Sequence, residues 1–236
     1  MNGGVIAIDG PSASGKSSTA RAVAEALGFA HLDSGSLYRG VTLVTLREWA
    51  RRGCEDGDPA RDLAPEIILR AAEDRGLMLQ SDGAGFAAYL EGEPVEDALR
   101  SVEVTAHVSA IAAIPVVREW VNTRLRAMVR AGQNVVVDGR DIGTVVFPDA
   151  DLKVFLTPSP EARAGRRISQ RGAVVQQEHL DAETAALAAR DHADSTRATA
   201  PLRPAADAVH LDTTAMGFAE QVRFIVDRAR PIFSRR

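Results

Sequence analysis

The chain has 236 residues, a formal net charge of −4 and 45% hydrophobic residues, which is an ordinary composition for a globular protein. This charge gives no overall attraction to nucleic acid or anionic lipid, so any anion site must come from a local cluster of basic side chains. We find no run of 18 apolar residues that would predict a membrane span and no pattern that would predict a signal peptide. Cys54 is the single cysteine, so an internal disulfide is excluded and we expect a cytoplasmic protein.

The first fifty residues predict the opening of an α/β fold. Residues 5–8 are apolar and rich in β-branched side chains, which is typical of a buried parallel strand. A glycine-rich turn follows, and then a helix over 16–27 that ends at Gly28. A second strand over 29–32 and a helix over 37–52 complete a pattern that favours a parallel sheet.

The middle of the chain predicts a small antiparallel insert at about 76–100. Residues 77–80 and 86–91 are strand-like runs on either side of a hairpin signal, and residues 93–100 predict a third strand. We find no internal repeat and no low-complexity linker, so we predict one α/β domain with inserts. Further helices are predicted over 102–113, 115–131, 160–171, 181–194 and 218–230, and further strands over 135–138, 152–156 and 208–211.

A phosphate-binding loop follows the first predicted strand. Residues 10–17 fit the pattern G-x-x-x-x-G-K-[ST], and their glycines allow backbone N–H groups to turn towards phosphate oxygens. Lys16 would reach the β- and γ-phosphates, and the Ser17 hydroxyl would bind Mg²⁺. The motif predicts a nucleoside triphosphate without deciding between a kinase, a GTPase and a motor. The residues expected to bind ATP here are Gly10, Pro11, Ser12, Ala13, Ser14, Gly15, Lys16, Ser17 and Ser18.

Three downstream segments predict a site for a second anionic substrate. Residues 33–39 and 138–141 follow predicted strands, and ligands of parallel sheets bind at the carboxyl ends of strands. Arg190, Asp194 and Arg197 are spaced for one face of a helix. Asp138 has two interpretations, a residue that orders Mg²⁺-bound water or a turn residue. The five histidines show no metal-ligand spacing, and we expect them in solvent or in the core.

The same segments resemble bacterial cytidylate kinases along nearly the whole chain, in matching order and spacing. The longest is D-G-R-D-I-G-T-V-V-F-P-D-A at 138–150. The others are I-A-I-D-G-P-S-A-S-G-K-S at 6–17, L-D-S-G-S-L-Y-R at 32–39, L-E-G-E-P-V at 90–95, V-S-A-I-A-A-I-P-V-V-R at 108–118 and R-D-H-A-D-S-T-R-A-T-A-P-L at 190–202.

The resemblance implies an α/β fold with a P-loop NTPase core, its parallel sheet flanked by helices, plus a small antiparallel acceptor-binding insert and a helical lid. It also implies the ATP- and Mg²⁺-dependent phosphorylation of CMP and dCMP. We expect a monomer, and the charge and the lack of an apolar span predict binding to neither nucleic acid nor membrane. The expected arrangement is a single domain over 1–236, with a core at roughly 1–40, 132–160 and 205–236, an acceptor-binding region at 41–131 and a lid at 161–180.

Residue roles follow from the resemblance position by position. Lys16, Arg140 and Arg197 are the expected catalytic residues. Within the lid, we expect Arg166 to contact ATP. The resemblance also assigns binding of the acceptor phosphate to Arg39, Arg140 and Arg197, and binding of the cytosine to Ser109, Arg118 and Asp141. It assigns the ribose contacts to Ser34, Arg190 and Asp194, and it places the group Arg163, Arg166, Arg167 and Arg171 in the lid over ATP.

Other classes of P-loop protein remain as alternatives. A GTPase would need an N-K-x-D motif, and none of Asn2, Asn122 and Asn134 is followed by lysine. A P-loop ATPase that serves as a binding module would hydrolyse ATP without a nucleotide acceptor. A UMP/CMP kinase or a small-metabolite kinase stays open, because the sequence does not determine the relative rates with CMP, dCMP and UMP.

Overall fold

The computed structural model describes residues 3–54, 56–81, 83, 85–129, 132–170 and 176–234. The chain divides into two compact units. Unit one contains residues 1–32 and 129–236, and unit two contains residues 33–128. A five-stranded sheet forms the centre of unit one, and a three-stranded antiparallel sheet belongs to unit two.

The strand β1 (Val5–Asp9) is the middle strand of unit one, and all five of its residues are buried. It pairs in parallel with β6 (Val135–Gly139) on one side and with β7 (Leu152–Leu156) on the other. The outer strands are β2 (Ala30–Asp33), next to β6, and β8 (Val209–Leu211), parallel to β7. The chain therefore leaves β1 towards one side of the sheet and later crosses to the other, which creates a crevice at the carboxyl end of β1.

Helices pack on this sheet through a continuous apolar core. The helices α1 (Lys16–Leu27) and α10 (Phe218–Phe233) pack against each other, and Val23 and Ile225 belong to the same buried cluster as Ile8 of the sheet. Gly28 ends α1 with φ 67°, a left-handed conformation that glycine adopts without strain. Two further α-helices of unit one, α8 (Pro160–Gln170) and α9 (Gln177–Thr196), pack together.

Unit two is mostly helical. Its longest helix, α2 (Ser34–Arg51), starts directly after β2, because the Asp33 carboxylate accepts a hydrogen bond from Gly35 N–H at 2.8 Å and caps the helix. The other elements are α3 (Pro59–Asp62), α4 (Pro65–Asp74), β3 (Met78–Ser81), β4 (Phe86–Leu90), β5 (Glu93–Pro94), α5 (Glu96–Leu99), α6 (Val102–Ala113) and α7 (Pro115–Val129). β4 pairs antiparallel with β3 and β5, and α2 packs against α4 and α6.

The consecutive helices α6 and α7 meet at a sharp bend. Ser101 caps α6 by accepting a hydrogen bond from Val104 N–H at 3.3 Å, and Pro115 is the first residue of α7. Within the described ranges, no helix by itself is long and apolar enough to cross a membrane. Taken together, α6 and α7 have the length and the apolar composition of a membrane span, but they are bent by 97° at their junction.

The predicted fold class is confirmed, and the helices over 16–27 and 102–113 and the strand over 152–156 begin and end where they were predicted. The predicted third strand is present, but it is much shorter than the predicted range of 93–100. Only Glu93 and Pro94 pair with β4, and α5 follows, because the acidic side chains of Glu96 and Asp97 favour the N-terminal turn of a helix. The short helices α3 and α4, each with proline in its first turn, were not predicted.

The packing of α10 predicts the cost of one core substitution. Ile225 is fully buried, so Ile225→Ala leaves a cavity and should lower the free energy of unfolding by about 2–5 kcal/mol, measured by urea denaturation. Asp227 on the same helix is exposed, and Asp227→Ala should stay within about 0.5 kcal/mol of the unchanged protein. Equal effects of the two substitutions would contradict the described packing.

Candidate active site

The loop between β1 and α1 has the features of a phosphate cradle. Gly15 precedes α1 with φ 82°, and no described side chain caps the helix, whose first turn contains no acidic residue. The N–H groups of that turn are therefore available to an anion. Ser14 Oγ is buried and has no hydrogen-bond partner among the residues described, and the Lys16 ammonium donates to Pro11 O at 3.1 Å. These residues fit a bound nucleotide phosphate.

The Ser17 hydroxyl is held by a buried carboxylate. Ser17 Oγ donates to Asp138 Oδ2 at 2.5 Å, and His31 Nε2 lies 2.8 Å from Asp138 Oδ1. Asp138 lies inside β6 rather than in a turn. Because the hydroxyl proton points to Asp138, the Ser17 lone pairs can face a cation. In the described part of the chain no group of three or more His, Cys, Asp or Glu side chains could hold a metal ion, and Mg²⁺ usually binds few protein ligands together with substrate phosphates.

Side chains of α8 and α9 clamp the backbone of the phosphate loop. Asp191 Oδ1 accepts a hydrogen bond from Ser12 N–H at 3.0 Å, and Arg163 Nη1 donates to Ser12 O at 3.1 Å. Arg163 and Asp191 also form an ion pair with each other. Both polar groups of the Ser12 backbone are thereby fixed by one ion pair, which holds the shape of the loop.

The other predicted lid arginines lie at different places. Arg166 donates from Nη1 to Ser14 O at 3.4 Å and from Nη2 to Thr213 O at 2.5 Å, so it reaches the phosphate loop. Arg167 instead pairs with Glu183 of α9 at 3.0 Å. Arg171 lies outside the described residues. Of the group, Arg163 and Arg166 touch the loop that is expected to bind ATP.

Two arginines and two aspartates alternate in what we call the arginine–aspartate cluster, formed by Arg140, Asp141, Asp194 and Arg197. Arg140 Nε donates to Asp194 Oδ2 at 2.9 Å, Arg197 Nη1 lies 3.9 Å from Asp194 Oδ1, and Arg197 Nη2 lies 3.5 Å from Asp141 Oδ1. Arg140 Nη1 also donates to Gly10 O at 3.1 Å, which joins the cluster to the phosphate loop. The aspartates keep two guanidinium groups in place beside the crevice, where an anionic substrate can bind them.

One prediction about this cluster needs correction. Arg190 and Asp194 lie on α9 at the predicted helical spacing, but Arg197 does not continue that helix. The helix ends at Thr196, and Arg197 has extended backbone angles, φ −60° and ψ 141°. Arg197 Nε donates to Ala200 O at 2.7 Å, so the chain leaves the helix axis and presents the arginine from the following loop.

Asp9 anchors the turn that carries Arg140 and Asp141. Its carboxylate accepts hydrogen bonds from Ile142 N–H and Gly143 N–H, both at 2.8 Å. These residues open a π-helical turn (Ile142–Val146), a conformation that is frequent at functional sites. A side chain at Gly143 would place its Cβ 3.4 Å from Asp9 Oδ2 and 3.1 Å from Lys153 Cδ, so glycine permits the close approach.

Burial raises the pKa of the Asp9 carboxyl from 3.8 to about 6. The two backbone N–H bonds lower the pKa, because they stabilise the ionised form. Among the charged neighbours, Asp141 raises this pKa and Lys16 lowers it. The carboxylate is therefore a buried charge that depends on the turn it anchors.

Four predicted site residues belong to unit two, and two of them make a defined set of contacts. Arg39 Nη1 donates to Leu99 O and to Thr105 Oγ1, both at 3.0 Å. Arg118 is buried, donates from Nη1 to Ala112 O at 2.9 Å and lies over the Tyr38 ring, 5.2 Å from its centroid. The remaining two are Ser34, buried at the start of α2, and Ser109, half-buried on α6.

The family model described as cytidylate kinase matches residues 6–231. The chain belongs to the cytidylate kinase family. The match spans both units, so the phosphate loop, the arginine–aspartate cluster and the arginines of unit two all fall inside it. A cytidylate kinase is a phosphotransferase that phosphorylates a nucleoside monophosphate, which accounts for a phosphate loop joined directly to a cluster that contains two arginines.

Three cytidylate kinases are similar to the chain over nearly its whole length. The protein of Rhodococcus jostii (strain RHA1) is 43% identical and covers 92% of the chain and 91% of its own length. The protein of Streptomyces griseus is 43% identical and covers 94% of the chain and 90% of its own length. The protein of Mycolicibacterium paratuberculosis is 42% identical and covers 96% of the chain and 95% of its own length. A gluconokinase structure from Sinorhizobium meliloti 1021 matches 98% of this chain and 94% of its own chain, with 17% sequence identity and a TM-score of 0.45.

Sequence reasoning missed three residues of this cytidylate kinase site. Asp9 was part of a turn signal, His31 was expected in solvent or core without a role, and Asp191 received no role. Each acts through a partner more than 100 positions away in the chain. Asp9 and His31 shared one signal, a polar residue inside or at the end of a buried strand, where burial is unfavourable without a hydrogen-bond partner, whereas Asp191 on the mostly exposed α9 gave no such signal.

The position of Asp9 predicts a pH dependence of stability. Its folded-state pKa is raised from 3.8 to about 6, so the folded protein binds the proton more tightly, and the free energy of unfolding increases as the pH falls through this range. Between pH 7 and pH 5 this group should add about 1 kcal/mol. Asp9→Asn removes this contribution. The free energy of unfolding of the unchanged protein minus that of the variant should therefore grow by that amount when the pH falls from 7 to 5. Asp149→Asn, at an exposed carboxylate, is the control, and a pH-independent difference for Asp9→Asn would contradict the assignment.

Proposed function

We propose that the chain transfers the γ-phosphate of ATP to CMP and dCMP and releases CDP and dCDP. The observation that carries the proposal is Arg140, which donates to Gly10 O of the phosphate loop and to Asp194 of the arginine–aspartate cluster. One guanidinium thus lies next to the donor loop and next to the cations assigned to the acceptor phosphate. Membership of the cytidylate kinase family supports cytidylate as the acceptor.

The reaction requires no general base on the protein. The second pKa of a phosphate monoester is about 6, so the acceptor phosphate is mostly a dianion at neutral pH and is itself the nucleophile. The protein must hold two polyanions in line and surround the transferred group with positive charge. The phosphate loop and the arginine–aspartate cluster are suited to these two tasks.

Each charged group has a proposed part in the transfer. Lys16 binds the phosphates of ATP, and Arg140 and Arg197 bind the acceptor phosphate and the group in flight. The Ser17 hydroxyl is the protein ligand of Mg²⁺, which neutralises charge on the ATP phosphates when it is bound. Arg166, which hydrogen-bonds Ser14 O and Thr213 O, is proposed to contact ATP.

Polar side chains of both units are proposed to recognise the base and the sugar. Asp141 can accept a hydrogen bond from the cytosine amino group, and Arg197 Nη2 lies 3.5 Å from Asp141 Oδ1. Asp194 and Arg190 are proposed for the ribose. In unit two, Ser109 and Arg118 are proposed for the base and Arg39 for the acceptor phosphate, with Ser34 near the sugar.

A panel of nucleotides tests the proposed function. ADP release should be measured with ATP and each of CMP, dCMP, UMP, AMP and GMP. UMP presents a carbonyl where CMP has its amino group, so two acceptors would face each other at Asp141. We expect this mismatch to weaken transition-state stabilisation with UMP by about 1–3 kcal/mol, so kcat/KM for CMP should be roughly 5- to 150-fold higher than for UMP. Equal kcat/KM values for CMP and UMP would show Asp141 not to read the base, and ADP release that needs no acceptor would contradict a kinase.

The phosphate loop predicts the effect of Lys16→Ala. The substitution removes a charge that acts mainly on the transition state, so kcat should fall by about 100-fold or more. The circular dichroism spectrum should stay that of the folded protein, because Lys16 is half-buried at the first residue of α1 and its ammonium donates to Pro11 O of the loop rather than into the core. A folded variant that keeps more than about a tenth of kcat would contradict the role, since the lost stabilisation would be below about 1.4 kcal/mol.

The proposed ribose contact predicts a difference between CMP and dCMP. Asp194→Ala should raise KM for CMP, and the rise for dCMP should be smaller if Asp194 binds the 2′-OH. Asp181→Ala, at an exposed position of the same helix, is the control and should leave both KM values unchanged. An equal rise for the two substrates would instead support a role limited to holding Arg140 and Arg197. Unchanged KM values for both would remove Asp194 from the site.

A further inference from the structure

A buried chain of hydrogen bonds crosses three elements beneath the phosphate loop. It runs from His31 on β2 through Asp138 on β6 to Ser17 on α1. The distances are 2.8 Å from His31 Nε2 to Asp138 Oδ1 and 2.5 Å from Ser17 Oγ to Asp138 Oδ2. His31 is 7% exposed and Asp138 is 1% exposed, so solvent competes little for either bond.

The chemistry of the carboxylate fixes the direction of both bonds. An ionised carboxylate only accepts hydrogen bonds, so His31 Nε2 carries a hydrogen and donates it, and the Ser17 hydroxyl donates to the other oxygen. Asp138 is then held at both oxygens and cannot rotate away from Ser17. The Ser17 proton is fixed on the side of Asp138, which leaves the lone pairs of the hydroxyl for a cation.

Removing the imidazole would change this arrangement at Ser17, although His31 does not touch Ser17. Without a donor at position 31, Asp138 Oδ1 would be a buried acceptor that lacks this partner, which is unfavourable by the desolvation of the group. The carboxylate would rotate or shift towards other donors, and the Ser17 proton would lose its fixed acceptor. A hydroxyl whose proton is free to turn towards a cation is a poorer ligand for it.

We propose that His31 is a positioning residue for the magnesium ligand Ser17 and acts through Asp138. The proposal rests on the proposed function, in which Ser17 binds the Mg²⁺ of the nucleotide. Partners in the outer shell of a metal site affect metal affinity in the same manner, by orienting the group that binds the metal. His31 would thus affect the cation indirectly, by orienting Asp138, which in turn orients the Ser17 hydroxyl.

Binding of ADP with and without Mg²⁺ tests the proposal without any transfer of phosphate. Dissociation constants should be measured by isothermal titration calorimetry in EDTA and in Mg²⁺ for the unchanged protein, His31→Leu and His31→Gln. We expect His31→Leu to lose about tenfold of the tightening that Mg²⁺ gives to ADP binding, with metal-free binding unchanged. His31→Gln places a donor near the position of Nε2 and should restore the tightening.

Two further variants separate this role from a structural one. In a Ser17→Ala background the hydroxyl is absent, so His31→Leu should cause no further loss of the Mg²⁺ effect. His210→Leu, at an exposed histidine of β8, should behave like the unchanged protein. If His31→Leu does not fold, His31→Asn replaces it, because the shorter amide cannot reach Asp138 and should show the same loss.

The proposal is overturned if His31→Leu or His31→Asn keeps the full Mg²⁺ effect. It is also overturned if either variant weakens metal-free ADP binding as much as binding with Mg²⁺, because that result indicates a general disturbance of the loop. The measurement contains no CMP. A failure of the nucleotide panel would therefore leave this result intact, and a failure here would leave the panel intact.

Discussion

The hydrogen bond from Arg140 to Gly10 O is the interaction on which the proposed chemistry depends. A nucleoside monophosphate kinase must bring two polyanions together, and their repulsion is overcome only by cations fixed between them. Arg140 is suited to this task because its Nη1 donates to Gly10 O of the phosphate loop and its Nε donates to Asp194 Oδ2. The strand order supports the arrangement, since β1 and β6 are neighbours and both end at this crevice.

Three carboxylates, two of them buried and that of Asp191 partly exposed, hold the remaining parts of the crevice in unit one. Asp9 fixes the turn after Asp141, Asp138 fixes the Ser17 hydroxyl, and Asp191 fixes the backbone of Ser12. Each charge is unfavourable in isolation and is compensated by N–H, O–H or guanidinium donors that must themselves be positioned. The raised pKa of Asp9, about 6, shows that this compensation is incomplete there. The site is thus organised by acids, although its substrates are anions.

Sequence patterns predicted what local rules determine. β1 and α1 follow from an apolar run, a glycine turn and helical spacing. The phosphate-loop motif at 10–17 by itself predicts binding of a nucleoside triphosphate. Residues 93–100 show the limit, since the strand stops after Glu93 and Pro94, and Glu96 and Asp97 favour the first turn of α5. The contacts of Asp9 and His31 could not be predicted, because each joins segments more than 100 residues apart, and periodicity contains no information about which distant loop a side chain will meet.

The substitution Arg140→Lys tests the central claim most directly, because it keeps the charge and removes the fork that reaches two partners. With saturating ATP, kcat/KM for CMP should fall by about tenfold or more, while the dissociation constant of ADP stays within about threefold. Arg167→Lys, at the arginine that pairs with Glu183, is the matched control and should change neither quantity. A kcat/KM for CMP that stays within about threefold of the unchanged protein, or an equal loss in ADP affinity, would contradict the account.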